Sequence, residues 1–109
     1  MSVLLSVAGC GGIDPRSASC GDLSSEAVKI SEDQAAQPRL LKVRGALVLT
    51  DHRRSYREPK GSAEALVLEC VGDGVYSSRT SKTYLRLSVD ADGDEFVRYR
   101  EATGALATP

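Results

Sequence analysis

The chain has 109 residues, is 41% hydrophobic, and sets 14 Lys and Arg against 15 Asp and Glu for a formal net charge of −1. That balance fits one small globular domain, excludes pervasive disorder, and gives no global attraction to nucleic acid or anionic lipid. No apolar run reaches the roughly 18 residues of a membrane-spanning helix, and ten Gly with four Pro are too few for a collagen-like or low-complexity chain.

The N-terminal segment Met1-Ser2-Val3-Leu4-Leu5-Ser6-Val7-Ala8-Gly9-Cys10 leads from an apolar stretch through small residues to a cysteine. It resembles the end of a bacterial lipoprotein signal peptide. Val7, Ala8, Gly9 and Cys10 stand where a lipobox places an aliphatic residue, two small residues and the acylated Cys. No Lys or Arg precedes the run, which lies at the short end of the about 7 to 15 residues of a signal-peptide core. A start further upstream would account for both departures. The resemblance implies removal of residues 1–9, lipidation of Cys10 and the membrane as partner. Gly11, in place of a retaining Asp, implies the outer membrane in a two-membrane host. The alternative takes Val3 to Val7 as the first strand of a cytoplasmic domain. Residues 10–21, rich in Gly, Ser, Pro and Asp, have the composition of a flexible tether and favour the anchored reading.

If Cys10 carries lipid, Cys20 and Cys70 remain as an even pair, expected to form a disulfide in an oxidising compartment. Three reduced thiols are the simplest alternative. A zinc site from Cys10, Cys20, Cys70 and His52 lacks the close Cys pair of structural zinc centres.

In residues 22–38, Val28 and Ile30 alternate as in a short strand. Ser31-Glu32-Asp33-Gln34 then resembles a capping box opening one or two helical turns, which Pro38 ends. From 41 to 50, Leu41, Val43, Gly45, Leu47 and Leu49 share one face of an extended chain, predicting a half-buried strand bent or bulged at Gly45. A second strand is predicted from Glu64 to Val71, with Leu66, Leu68 and Cys70 inward, broken by Gly72-Asp73-Gly74. A third runs from Lys82 to Asp90 with Leu85, Leu87 and Val89 inward, and a fourth from Glu95 to about Glu101. An Asp92-Gly93-Asp94 turn between them would pair Val89 with Val97 and Leu87 with Tyr99, keeping apolar residues together.

The expected fold is therefore mainly β: a small antiparallel sheet or partly open barrel of four to five strands, with a short N-terminal helix and one disulfide. The expected divisions are a signal-peptide end (1–9), a lipidated Cys and tether (10–21), a β-domain (22–101) and a frayed tail (102–109).

Two segments suggest chemistry. Asp90, Asp92, Asp94 and Glu101 occupy positions one, three, five and twelve of a loop resembling an EF-hand, where clustered hard oxygens would suit calcium. Glu95 replaces the required Gly and the flanks read as strands, so a solvated hairpin tip is the plainer reading. The loop Asp51 to Ser62 carries Arg53, Arg54, Arg57 and Lys60. Residues 39–60 hold seven basic and two acidic side chains, against three and seven in residues 61–95. Such a loop could clamp an anionic ligand or surface, although exposed aromatics for nucleic-acid stacking are few. No GxSxG, HExxH or phosphate-binding glycine motif occurs, and the single His52 lies in that loop. No enzymatic activity and no cofactor are expected. The sequence points to an envelope-anchored lipoprotein with a binding or structural role, its partner an envelope protein or anionic ligand. A cytoplasmic polyanion-binding β-barrel is the alternative, and a calcium-binding hairpin the weaker one.

Overall fold

The computed structural model describes the backbone of residues 5–8 and all of residues 14–102. Five strands form one antiparallel sheet: β1 (Leu5–Ala8), β2 (Leu40–Asp51), β3 (Glu64–Tyr76), β4 (Thr80–Asp90) and β5 (Glu95–Glu101). A helix, α1 (Cys20–Asp33), lies between β1 and β2 in the chain. The order across the sheet is β1-β5-β4-β3-β2. Thus β2 to β5 form a meander, β1 and β2 lie at opposite edges, and α1 packs over one face, most closely against β2. This is the mainly β, open antiparallel architecture predicted, with the helix and the Cys20–Cys70 disulfide in place. Cys10 and residues 103–109 lie outside the described residues.

The helix begins earlier and runs longer than the sequence patterns suggest. Ser19 is its N-cap: Asp22 N–H donates to Ser19 Oγ at 3.1 Å, and Ser19 N–H donates to Asp22 Oδ2 at 3.0 Å. This reciprocal capping box satisfies two backbone donors that a helix start otherwise leaves without partners. Leu23, Ala27 and Ile30 recur at helical spacing and are fully buried, so the alternation at Val28 and Ile30 is not a strand. Ser31, predicted to open a helix, instead sits buried near the end of α1, where its Oγ accepts the Leu40 N–H at 2.8 Å. The stretch expected as tether already belongs to the fold at Ala18, which is buried.

The core lies between α1 and the inner face of the sheet, where Leu23, Ala27 and Ile30 meet Leu40, Leu68, Leu85, Leu87 and Val97, all without solvent exposure. Fully burying one such aliphatic side chain stabilises a fold by about 1.5–3 kcal/mol. Cys70, inward on β3 as predicted, bonds to Cys20 in the first turn of α1, with Cα atoms 5.9 Å apart.

β2 departs from its predicted facing. Of the five residues expected inward, only Val43 is partly buried; Leu41, Gly45, Leu47 and Leu49 are exposed. The cause is three register shifts against β3, between Leu40 and Lys42, Arg44 and Leu47, and Val48 and Thr50. Each inserted residue reverses the alternation of faces, so a strict two-residue period in sequence does not stay on one face.

Gly72-Asp73-Gly74 does not break β3, which continues to Tyr76. Both glycines are positions of close approach. A Cβ at Gly72 would lie 2.8 Å from Val43 Cγ1 and 2.9 Å from Arg44 O, and one at Gly74 would lie 2.1 Å from Thr83 Oγ1. Over Gly74 the Tyr76 ring reaches Thr83, the two hydroxyl oxygens 2.7 Å apart.

The β4–β5 register also differs from expectation, by two residues. Leu87 pairs with Val97 and Leu85 with Tyr99, and Val89 faces Glu95. The loop is Ala91-Asp92-Gly93, with Gly93 at φ 84° in the left-handed position that closes a three-residue hairpin. A shift of two preserves the faces, so the apolar pairs still form. Ala102, predicted to fray, is buried and its N–H donates to Lys82 O at 2.8 Å.

Candidate functional site

The basic loop is held against the residues before α1 by two guanidinium groups, those of Arg53 and Arg16. Asp51 ends β2, and its Oδ1 accepts the Arg53 backbone N–H at 3.0 Å and Arg53 Nε at 2.9 Å, while Oδ2 accepts Arg53 Nη2 at 2.7 Å. The forked contact matches guanidinium to carboxylate. It holds the Asp51 carboxyl well below the usual carboxylate range and raises Arg53 above its own. Arg53 Nη1 donates to Ala18 O at 2.7 Å, which ties the loop to the residue before the helix cap. Arg16 completes the joint: its Nη1 donates to Arg53 O at 3.2 Å, and its guanidinium carbon stands 4.6 Å from the centroid of the Tyr56 ring.

Of the four residues predicted to bind anions, Arg53 is therefore committed to the fold. Arg54, Arg57 and Lys60 are exposed and make no ion pair among the described residues. Arg16, Ser17, Asp51, Arg53 and Arg54 line an open concavity of about 510 Å³. Three guanidinium groups against one carboxylate leave it cationic, which suits a small anion. By composition Arg16 belongs to the tether, and its role depends on Tyr56, forty residues away in the chain. No local sequence signal joins the two.

The acidic set divides. Asp90, Asp92 and Asp94 come together at the β4–β5 turn with one carboxylate oxygen from each within 4.8 Å of the others. Asp90 Oδ1 accepts the N–H groups of Asp92 at 2.9 Å and Asp94 at 3.0 Å, so one of these oxygens already serves the turn. Glu101 is not part of the group. It lies at the other end of β5, about 20 Å along the strand, where its carboxylate accepts Arg79 Nε at 2.7 Å and Nη2 at 2.8 Å. The flanks are strands of a hairpin, not the helices of an EF-hand. The zinc alternative fails on chemistry: Cys20 and Cys70 are joined to each other, and disulfide sulfurs are not thiolate ligands.

The outer face of the sheet is a mixed polar surface. Arg86 and Arg98 stand directly opposite one another, a repulsive placement by itself. Glu64 accepts both terminal nitrogens of Arg98, and Glu69 stands opposite Arg86 on β3. The Arg98 partner holds Glu64 below its ordinary range. Arg100 stacks on Tyr84 with its guanidinium carbon 4.5 Å from the ring centroid. Of these cations Arg98 is paired with a carboxylate, Arg86 has Glu69 at the neighbouring register position, and Arg100 has an aromatic face. The basic loop and β2 carry the densest run of cations without an ion pair among the described residues: Lys42, Arg44, Arg54, Arg57 and Lys60.

Comparison with protein families, curated proteins and solved structures found no match.

Proposed function

We propose that this chain is a small bacterial envelope lipoprotein, anchored through Cys10 and carrying a disulfide-braced β-domain with a binding or structural role. The observation that carries the reading is the pairing of Cys20 with Cys70, which leaves Cys10, in the sequence Val7-Ala8-Gly9-Cys10, as the remaining cysteine of three. A bridge between helix and sheet, with Cys70 buried and Cys20 partly so, is a device suited to an oxidising compartment. The cationic concavity and the exposed Arg54, Arg57 and Lys60 favour an anionic ligand over a neutral one. Calcium at Asp90, Asp92 and Asp94 is the weaker function for this fold, since it would have to do without Glu101.

A second reading has its own support. The backbone of β1 pairs with β5, Leu5 opposite Tyr99 through Ala8 opposite Phe96, as a retained first strand of a cytoplasmic domain would. Cleavage before Cys10 would remove β1 and leave β5 as an edge. Metabolic labelling of the host with a fatty-acid probe, followed by intact mass measurement, separates the two. The anchored protein incorporates the probe, loses residues 1–9, and loses the label in Cys10→Ala. An unlabelled protein retaining residues 1–9 would overturn the lipoprotein and favour the reading in which β1 is kept as part of the sheet.

A further inference from the structure

Among the described residues, the exposed large hydrophobic side chains are Leu41 (49%), Leu47 (70%), Val48 (48%) and Leu49 (51%), and all four belong to β2. Three are consecutive. Scattered single apolar residues on a surface need no explanation, but a group concentrated on one edge marks a contact. Cations accompany them: Lys42 and Arg44 on the strand, then Arg54, Arg57 and Lys60 in the loop that follows, all exposed and without an ion pair among the described residues. Of the acids nearby, Asp51 is engaged by Arg53 and Asp73, opposite Arg44, by Lys82 at 3.8 Å, which leaves Glu58 in the loop as one exposed acid against five cations.

From this arrangement we infer that the β2 edge and its loop form a peripheral binding surface for an anionic lipid bilayer, with Leu47, Val48 and Leu49 entering the headgroup boundary and the cations meeting lipid phosphates. Three features select this occupant. First, the three register shifts interrupt the regular ladder that an added strand, from another protein or a second copy, would need. Second, the apolar side chains leave on both sides of the strand: Leu47 lies opposite Val71 on the outer face, and Val48 lies opposite Cys70 on the inner one. A single rigid partner surface covers one side, whereas a fluid layer covers both when the edge is immersed in it. Third, a second copy would bring the same five cations against themselves, while an anionic surface attracts them.

This inference goes beyond the anchor and does not depend on it, because it concerns residues 41–60 and is tested without the lipid. The full-length chain carrying Cys10→Ser is mixed with vesicles of phosphatidylcholine alone or with added phosphatidylglycerol, and bound protein is measured by co-sedimentation. The chain contains no Trp, so Leu47→Trp in the same background places a single indole reporter at the contact. The expected results are binding that requires phosphatidylglycerol and weakens with salt, and a blue shift of the indole emission on binding. Each Lys or Arg near an anionic surface contributes roughly fivefold in partitioning, so Arg54→Glu with Arg57→Glu should reduce binding more than about twentyfold. Leu47→Ser with Leu49→Ser should reduce it by at least about tenfold, with circular dichroism unchanged. Absence of binding, equal binding to neutral vesicles, an unshifted emission, or a dimer in light scattering that the serine variant abolishes would each overturn the inference.

Discussion

The β4–β5 hairpin and the β2–β3 hairpin share one sheet but differ in regularity. β4 and β5 pair without a shift from Thr83 opposite Glu101 to Val89 opposite Glu95, and a three-residue loop closes them. Their inward residues Leu85, Leu87, Val97 and Tyr99 are buried, and Arg100 on Tyr84 and Arg98 with Glu64 occupy the outer face. β2 and β3 pair through three shifts, are joined by the long basic loop, and leave four large apolar side chains of β2 in solvent. A regular ladder keeps each side chain on its assigned face and directs it to the core. A bulged ladder releases some of them outward. The regular hairpin thus sends its apolar side chains to the core, whereas the irregular one both buries Leu40, Leu68 and Cys70 and supplies the unusual surface.

The difference is sharpest at the disulfide, because Cys70 ties the irregular hairpin to α1. Closing a loop of this length, a separation of 50 residues, contributes about 4 kcal/mol in the chain-entropy account. Cys20→Ala with Cys70→Ala should therefore lower unfolding free energy in urea by about that amount, and reduction of the wild-type chain should do the same. A loss below about 1 kcal/mol would show that α1 and β3 hold together without the bridge. Next in size is Leu87→Ala in the regular hairpin. It removes a fully buried side chain and should cost about 2–5 kcal/mol by the same measurement.

Gly74→Ala probes the joint between the two hairpins. The added methyl meets Thr83 and the Tyr76 ring at less than contact distance, so β3 and β4 must separate or Tyr76 must leave its rotamer. A loss of about 1–3 kcal/mol is expected. Burial pushes the Tyr76 hydroxyl up to about 12, above the ordinary 10.0. The folded state resists its ionisation, so this group's stabilising effect is full below pH 10.0 and is lost as pH rises toward 12. Fluorescence-monitored unfolding across that range should show stability falling, and Tyr76→Phe should remove part of the fall.

These positions also show what a sequence discloses. The disulfide follows from cysteine counting once Cys10 is set aside, and the inward faces of β4 and β5 follow from Leu85, Leu87, Val97 and Tyr99. The helix is hidden because Leu23, Ala27 and Ile30 are diluted by polar residues while Val28 and Ile30 imitate a strand. Of the three shifts in β2, the one between Arg44 and Leu47 is legible in the sequence, because it falls at Gly45, where a bend or bulge is expected and φ is 60°; the other two have no such signal. The same stretch of β2 closes on Gly72, where a Cβ would meet Val43 Cγ1, Arg44 O and Ala46 Cα at 2.8 to 3.0 Å. The Arg16–Tyr56 stack is equally silent, since neither residue has a neighbour in sequence that signals the other. Local pattern reports facing where pairing is regular, and loses it where shifts interrupt the register.

At acidic pH the hairpins should respond together. Asp51 in the irregular one and Glu64 facing β5 both have carboxyls held below their ordinary values of 3.8 and 4.5 by Arg53 and Arg98. Their stabilising effect is present above those ordinary values and is lost as pH falls below them through the depressed folded ones. Melting temperature should therefore fall in that acid window, and Glu64→Gln should flatten the fall. The Glu64–Arg98 pair is partly exposed and screened by solvent, so it contributes at most about 1 kcal/mol.

The smallest effect expected on stability is also the most informative about the comparison. Leu47 and Leu49 are apolar but largely solvated, so replacing both with Ser removes little buried area and should change unfolding free energy by less than about 0.5 kcal/mol. The chemically similar truncation at Leu87 should cost several times more, because there it opens a cavity. A large loss from Leu47→Ser and Leu49→Ser would mean that the β2 edge is covered by the fold itself, and the distinction between a structural and a binding hairpin would collapse. An unchanged melting temperature alongside lost vesicle binding would separate the two roles within one sheet. The side chains that the three bulges turn outward would then serve contact with a partner and contribute nothing measurable to folding.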